Sequence, residues 1–199
     1  MKKSKLRSIS LFAALILVAV IAVTMINSVR FNPDPSHDSD FIARAQSKSV
    51  FGITVSASAL GPRESRRSFG ENLAKYDIQP LWLSIENETD EQFAFIQIAT
   101  DPDYFSPYEV SYRFRGAFSF ATNQARDKFF LERQIASILK PHSRTTGFMY
   151  GVLDAGIKYA RILVASNTRL ETFDFALPVP GRRSSAQVSP LTASIRARQ

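Results

Sequence analysis

The body of the chain opens on strict alternation. Phe51, Ile53, Val55, Ala57 and Ala59 fall on one face, with Gly52, Thr54, Ser56 and Ser58 between them. Successive side chains of a strand point to opposite faces, so this period of two predicts a half-buried strand. Residues 64–76 carry Phe69 and Leu73 four apart among charges, which predicts a short helix. Residues 81–85 predict a second strand, closed by a polar turn at 86–90. Residues 92–100 predict a third, with Phe93, Phe95, Ile96 and Ile98 nearly continuous, as in a strand covered on both faces. Two signals then conflict. Ser106-Pro107-Tyr108-Glu109 is a capping box with Pro at the first helical position, whereas Tyr108, Val110, Tyr112 and Phe114 alternate like a strand. The helix is the preferred reading. Residues 123–139, with Asn123 as cap and Pro141 as stop, predict a longer helix. Strands follow at 145–152, 158–166 and 171–179, and Pro180-Gly181 closes the domain. Six or more strands with short polar turns and two helical insertions predict a mainly β, immunoglobulin-like antiparallel β-sandwich over residues 49–181.

The N-terminus shows another pattern. Lys2, Lys3, Lys5 and Arg7 precede residues 11–26, in which Thr24 is the only polar side chain. A helix rises about 1.5 Å per residue and the hydrocarbon core is about 30 Å thick, so a span needs about 20 residues. Residues 9–29 are long enough, and no polar face interrupts the run, as one would in an amphipathic core helix. A cleaved signal needs a small-x-small site close behind the apolar run. Ile26-Asn27-Ser28 is a poor match and Ala43-Arg44-Ala45 lies too far downstream. An uncleaved anchor is therefore the expected form, with a signal peptide as the alternative. The basic residues place the N-terminus in the cytoplasm and the rest in the periplasm. The expected organisation is a basic head at 1–8, one transmembrane helix at 9–29 in the inner membrane, a polar spacer at 30–48, the β-sandwich at 49–181 and a disordered basic tail at 182–199.

Charge and composition change this picture in two ways. The net charge of +7 comes from the two ends, and residues 31–181 carry 16 basic against 18 acidic side chains. The body is nearly neutral and has no basic stripe with interleaved aromatics, which argues against nucleic-acid binding. The chain has no Cys. That removes disulfides, thiolate nucleophiles, thiolate metal sites and cysteine lipidation, so the exported domain must be held by its core. Sixteen Phe residues supply large apolar side chains for that core, or for the walls of a cavity.

Candidate chemistry is sparse. His37 sits among Asp34, Asp38 and Asp40 in the expected spacer, and His142 follows Pro141 in a turn with no second His in the domain. Neither makes a metal site. In the loop Asp101-Pro102-Asp103-Tyr104-Phe105, the carboxylates Asp101 and Asp103, followed by Glu109, are the candidate oxygen ligands for a cation such as Ca²⁺. The loop lacks the glycine and later ligands of a calcium loop, and Asp-Pro is an ordinary turn former, so a structural turn is the preferred reading. Asp101, Asp103, Tyr104 and Phe105 are also the candidate interaction loop. Arg113, Arg115 and Arg126 could form an anion patch or a solvated surface, and Glu64 with Arg67 an exposed helix pair. No serine elbow, phosphate-binding glycine loop or His-Glu-x-x-His pair occurs, so no catalytic residues and no cofactor are expected.

Phe69-Gly70, residues 78–87, residues 101–107, Gly147-Phe148-Met149-Tyr150 and residues 175–181 together resemble the sandwich-like region of uncharacterised bacterial envelope proteins. Those proteins often continue into an LssY-type C-terminal domain, which is not expected within residues 182–199 here. Some are joined to a phosphatase whose Pro-Ser-Gly-His signature is absent here. The resemblance covers roughly residues 50–181 and implies a bacterial envelope location; it carries no activity. The expected function is non-catalytic: binding another envelope protein or assisting assembly at the inner membrane. The alternatives are a small-ligand or lipid-binding domain and, third, an enzyme using Asp101, Asp103 and Glu109.

Overall fold

The computed structural model describes residues 15–20, 31–101, 103–117 and 119–181. The basic head, most of the expected anchor and the tail at 182–199 lie outside the described residues. Residues 15–20 are helical, with Leu15, Ile16, Leu17, Val18 and Val20 exposed. Among the described residues no helix is long and apolar enough to cross a membrane.

Eight strands form two four-stranded sheets. They are β1 (Gln46–Val50), β2 (Ile53–Ala59), β3 (Ile78–Asn87), β4 (Phe93–Phe95), β5 (Ile138–Leu139), β6 (Ser143–Val152), β7 (Ile157–Ala165) and β8 (Leu170–Pro178). The first sheet has the order β1-β2-β3-β6 and the second β5-β4-β7-β8, with every pairing antiparallel. Five helices accompany them: α1 (Ser39–Ala43), α2 (Pro62–Phe69), α3 (Gln97–Thr100), α4 (Pro107–Tyr112) and α5 (Phe120–Glu132).

The alternating patterns decide which faces meet. Ile53, Val55, Ala57 and Ala59 of β2 turn inward with Leu81, Leu83 and Ile85 of β3 and Met149 of β6. They meet Phe93 and Phe95 of β4, Ile162 and Val164 of β7, and Phe173, Phe175 and Leu177 of β8, forming the core between the sheets. Phe148 and Tyr150 point to the other face of β6, as the strand period requires. There they join Phe41 of α1, Phe69 of α2, Val110 of α4 and Phe130 of α5 in a second core. Phe69 stacks on Phe130 at 5.3 Å and meets Phe148 edge-on at 4.9 Å. Each fully buried Phe contributes roughly 1.5–3 kcal/mol. The Phe surplus thus fills a packed core between the first sheet and a helical layer, and the molecule has three layers.

Several expectations are corrected. The strand order is not that of an immunoglobulin domain, in which the third strand crosses to the other sheet; here β1, β2 and β3 are successive neighbours in one sheet. The expected strand at 92–100 stops after three residues, and α3 follows it. The helix expected from Asn123 begins at Phe120 and ends at Glu132. Asn123 instead bonds the backbone of Gly116 through both its amide groups. The expected spacer at 30–48 is folded from residue 31 onward. It holds α1, buries Phe41 to 1% exposure, and takes in the start of β1, whose polar sequence gave no strand signal. The α4 helix forms as read, with the Ser106–Glu109 capping box.

Exposed sheet edges invite pairing with other chains, and three of the four edge strands have neighbours here. Side chains of Gln46 and Lys48 on β1 donate to the carbonyls of Ala176 and Asp174 on β8. On the opposite side, Phe105 and Gln134 bridge to Tyr150 and Phe148 of β6.

Candidate functional site

Asp101 and residues 103–106 run past the end of β6, and the two carboxylates of the loop separate there. Asp101 turns inward. Its Oδ2 accepts from the Val152 amide and the Lys158 ammonium, both at 3.1 Å, and its Oδ1 accepts from the Asp103 amide. Lys158, 7% exposed at its side chain, also pairs with Asp154 at 3.1 Å and donates to the Val152 carbonyl at 2.9 Å. Gly151 is required here, because a Cβ at that position would stand 2.4 Å from the Asp101 carboxylate. Asp103 is exposed. Glu109 lies in the α4 capping box, where its carboxylate accepts from the Ser106 amide at 2.7 Å. That backbone bond, followed by the one to the Ser106 side chain, holds its pKa below the usual carboxylate value. The three candidate ligands are therefore not one set: Asp101 is bound inward, Glu109 caps α4 and Asp103 is exposed. No group of three or more His, Cys, Asp or Glu side chains converges as a metal site among the described residues.

Other sequence candidates are placed as follows. Tyr104 packs on the core between the sheets and Phe105 on the aromatic core. His37 lies beside Asp34, and His142 pairs with Asp90 at 2.8 Å. Arg126 is buried against Glu71 at 2.8 Å, and Arg115 pairs with Asp127, so the three arginines do not form one anion patch. Glu64 pairs with Arg44 rather than Arg67.

Two exposed surfaces stand out among the described residues. The first is an open groove of about 680 Å³ along α4, lined by Phe105, Tyr108, Glu109, Tyr112, Arg113 and Arg115. Tyr108 and Tyr112, four residues apart on one helix face, are 55% and 67% exposed. The Arg115 guanidinium stands 5.2 Å from the centre of the Tyr112 ring. Only Phe105 of the expected interaction loop contributes. The paired tyrosines were visible in the sequence, but there they counted as strand alternation.

The second surface is the sandwich end formed by the β1–β2 and β7–β8 turns. Phe51 and Gly52 have φ of 45° and 81°, the signs required at both central positions of the primed turn that suits a hairpin. Phe51 is 75% exposed and Leu170 63% exposed. Arg169 binds the two turns together, reaching the Phe51 carbonyl at 3.5 Å and Glu91 at 3.5 Å. Glu91 also accepts from the Ser166 and Thr168 hydroxyls, both at 2.7 Å, and these bonds lower its pKa. The apolar side chains thus stand on a braced tip. The positive φ at Phe51 carries no mark in the sequence, where Phe51 reads as the first member of the inward row.

These features define a three-layered, mainly β domain with exposed aromatic surfaces. No family model matches the chain, and no curated protein matches it. Among solved structures, it is similar to the copper-bound PCuAC domain from PmoF2, at 17% identity and a TM-score of 0.34 over 68% of this chain and 99% of that one. It is also similar to the apo PmoF2 PCuAC domain, at 16% identity and a TM-score of 0.34 over 70% of this chain and 100% of that one.

Proposed function

We propose that this chain is anchored in the bacterial inner membrane by residues 9–29, displays its β-domain in the periplasm, and acts without catalysis by binding another envelope protein. The observation that carries the reading is Phe51, held at φ 45° with 75% of its surface exposed. A bulky residue in the left-handed region costs about 1–3 kcal/mol, and Asn or Gly would make the same turn without that cost. A phenylalanine there is explained by contact with something outside the chain, and aromatic side chains are enriched at the centres of protein interfaces. Leu170 extends the apolar surface, and the Arg169 guanidinium reaches the Phe51 carbonyl beside it. The anchoring part of the reading is supported by the basic head, the apolar run and the exposed apolar helix at 15–20. The family resemblance supports the envelope location.

The test is photo-crosslinking in intact cells, with a photoreactive amino acid in place of Phe51 or, as control, Tyr159 on the outer face of the second sheet. A discrete protein adduct is expected from position 51 only, and Phe51→Asn should weaken the native complex while leaving the domain folded. Equal labelling at both positions, or none at 51, would refute the reading.

A further inference from the structure

We propose that the α4 face is a membrane-contact surface, on which Tyr108, Tyr112 and Arg113 meet the anionic headgroups of the bilayer from which the chain emerges. The inference rests on the anchored reading above and names a ligand for a surface that reading does not use.

The first argument is where the chain enters the fold. The anchor ends at residue 29, and two extended residues span at most about 7 Å. Phe31 is already packed, with its ring 5.5 Å from that of Phe129 and the Arg126 guanidinium 5.0 Å from its centre. The Asp34 amide donates to the Arg67 carbonyl at 2.9 Å, fastening the next residues to α2. The side of the helical layer that carries Phe31 therefore comes within about 10 Å of the headgroups, given that reach.

The second argument is continuity. Arg126 and Asp127 are consecutive on α5. Arg126 faces Phe31, while Asp127 pairs with Arg115 and accepts from the Ser111 hydroxyl of α4. One turn of α5 thus joins the chain entry to the Tyr–Arg groove. Phe120, at the start of the same helix, is 82% exposed.

The third argument is chemistry. Tyrosine seats its ring at the membrane–water interface, and arginine binds phosphate oxygens with a fork of donors. The two acids at the face are engaged, Glu109 by Ser106 and Asp127 by Ser111 and Arg115. Arg115 is paired with Asp127, whereas Arg113, close enough to Glu109 to help lower its pKa, forms no ion pair within 4 Å among the described residues, and its guanidinium is the cation of this face offered to an external anion. The domain as a whole is slightly acidic, so the attraction is local to this face.

Because the chain has no native Cys, single cysteines can be labelled cleanly. The full chain, carrying Tyr112→Cys or Tyr159→Cys with an environment-sensitive dye, is reconstituted in nanodiscs of phosphatidylethanolamine and phosphatidylglycerol that contain a headgroup spin-labelled lipid. The dye at 112 should be quenched and the dye at 159 not. Quenching should fall in phosphatidylcholine discs, in about 1 M salt where the Debye length is about 3 Å, and with Arg113→Glu. Circular dichroism checks that variant's fold, and Arg113→Gln replaces it if the fold is lost. A disc-bound chain with equal quenching at 112 and 159, or none at 112, would overturn the inference and leave the anchor standing. A chain that washes off the discs would overturn both. A protein adduct from position 112 in cells, without lipid quenching, would assign the face to a protein instead.

Discussion

Both oxygens of Asp101 are engaged by the fold, although it stands in a loop. The carboxylate braces the end of β6 against Lys158 rather than facing an external ligand. Removing one member of a buried ion pair strands the other, which typically costs 3–5 kcal/mol. Lys158 keeps a half-exposed partner in Asp154, so Asp101→Ala should destabilise by about 3 kcal/mol, the lower end of that range. Urea unfolding measures this; a change below about 1 kcal/mol, the worth of an exposed pair, would show that the ammonium is stabilised by its other contacts. The sequence marked Asp101 as chemically notable, but its role depends on Lys158, 57 positions away, and on the space left by Gly151. Neither is local information. Tyr150 is similar: its place in a strand was legible, whereas its complete burial, which pushes its hydroxyl pKa far up, follows from the helices placed over it.

At the scale of elements, α4 shows local and tertiary signals resolved. Six residues are too few for a stable isolated helix, so its cap and its packing decide. The capping box satisfies the first turn and Val110 is fully buried, while Tyr108 and Tyr112 face outward. Glu109 titrates below its ordinary value near 4.5 in the fold. Its contribution is therefore fully present above that ordinary value and is lost as pH falls through the lower, folded value. The urea midpoint should decline on acidification from about pH 6 to about pH 3, and Glu109→Gln, which keeps an acceptor for the Ser106 amide, should flatten part of the decline. An unchanged slope would assign the decline to Asp34, Glu91 and Asp174, whose values are lowered in the same direction. The cap was legible because it is written in four consecutive residues. β1 was not, because its exposed polar side chains carry no apolar period, and it is a strand by virtue of pairing with β2.

For the whole molecule, the decisive element is the strap at 31–44. Phe41 sits against Trp82 and Phe148, Asp38 pairs with Arg133 among three phenylalanine rings, and Arg44 pairs with Glu64. Phe41→Ala should therefore cost about 3–5 kcal/mol, as for other buried aromatic truncations, and open the strap to limited proteolysis. A stable variant with an unchanged cleavage pattern would mean that the strap is not part of the cooperative fold. The sequence by itself determined the near-neutral body between two basic ends, the apolar run of the N-terminus, and the strands whose alternation pins a buried face. Those properties are local or additive, so one pass along the chain finds them. The tertiary structure alone decided the rest. It divided the buried Phe residues between two packed cores, folded the expected spacer onto the helices, and turned Phe51 outward. Burial and partnership are properties of pairs distant in the chain, and they exist only once the layers have met.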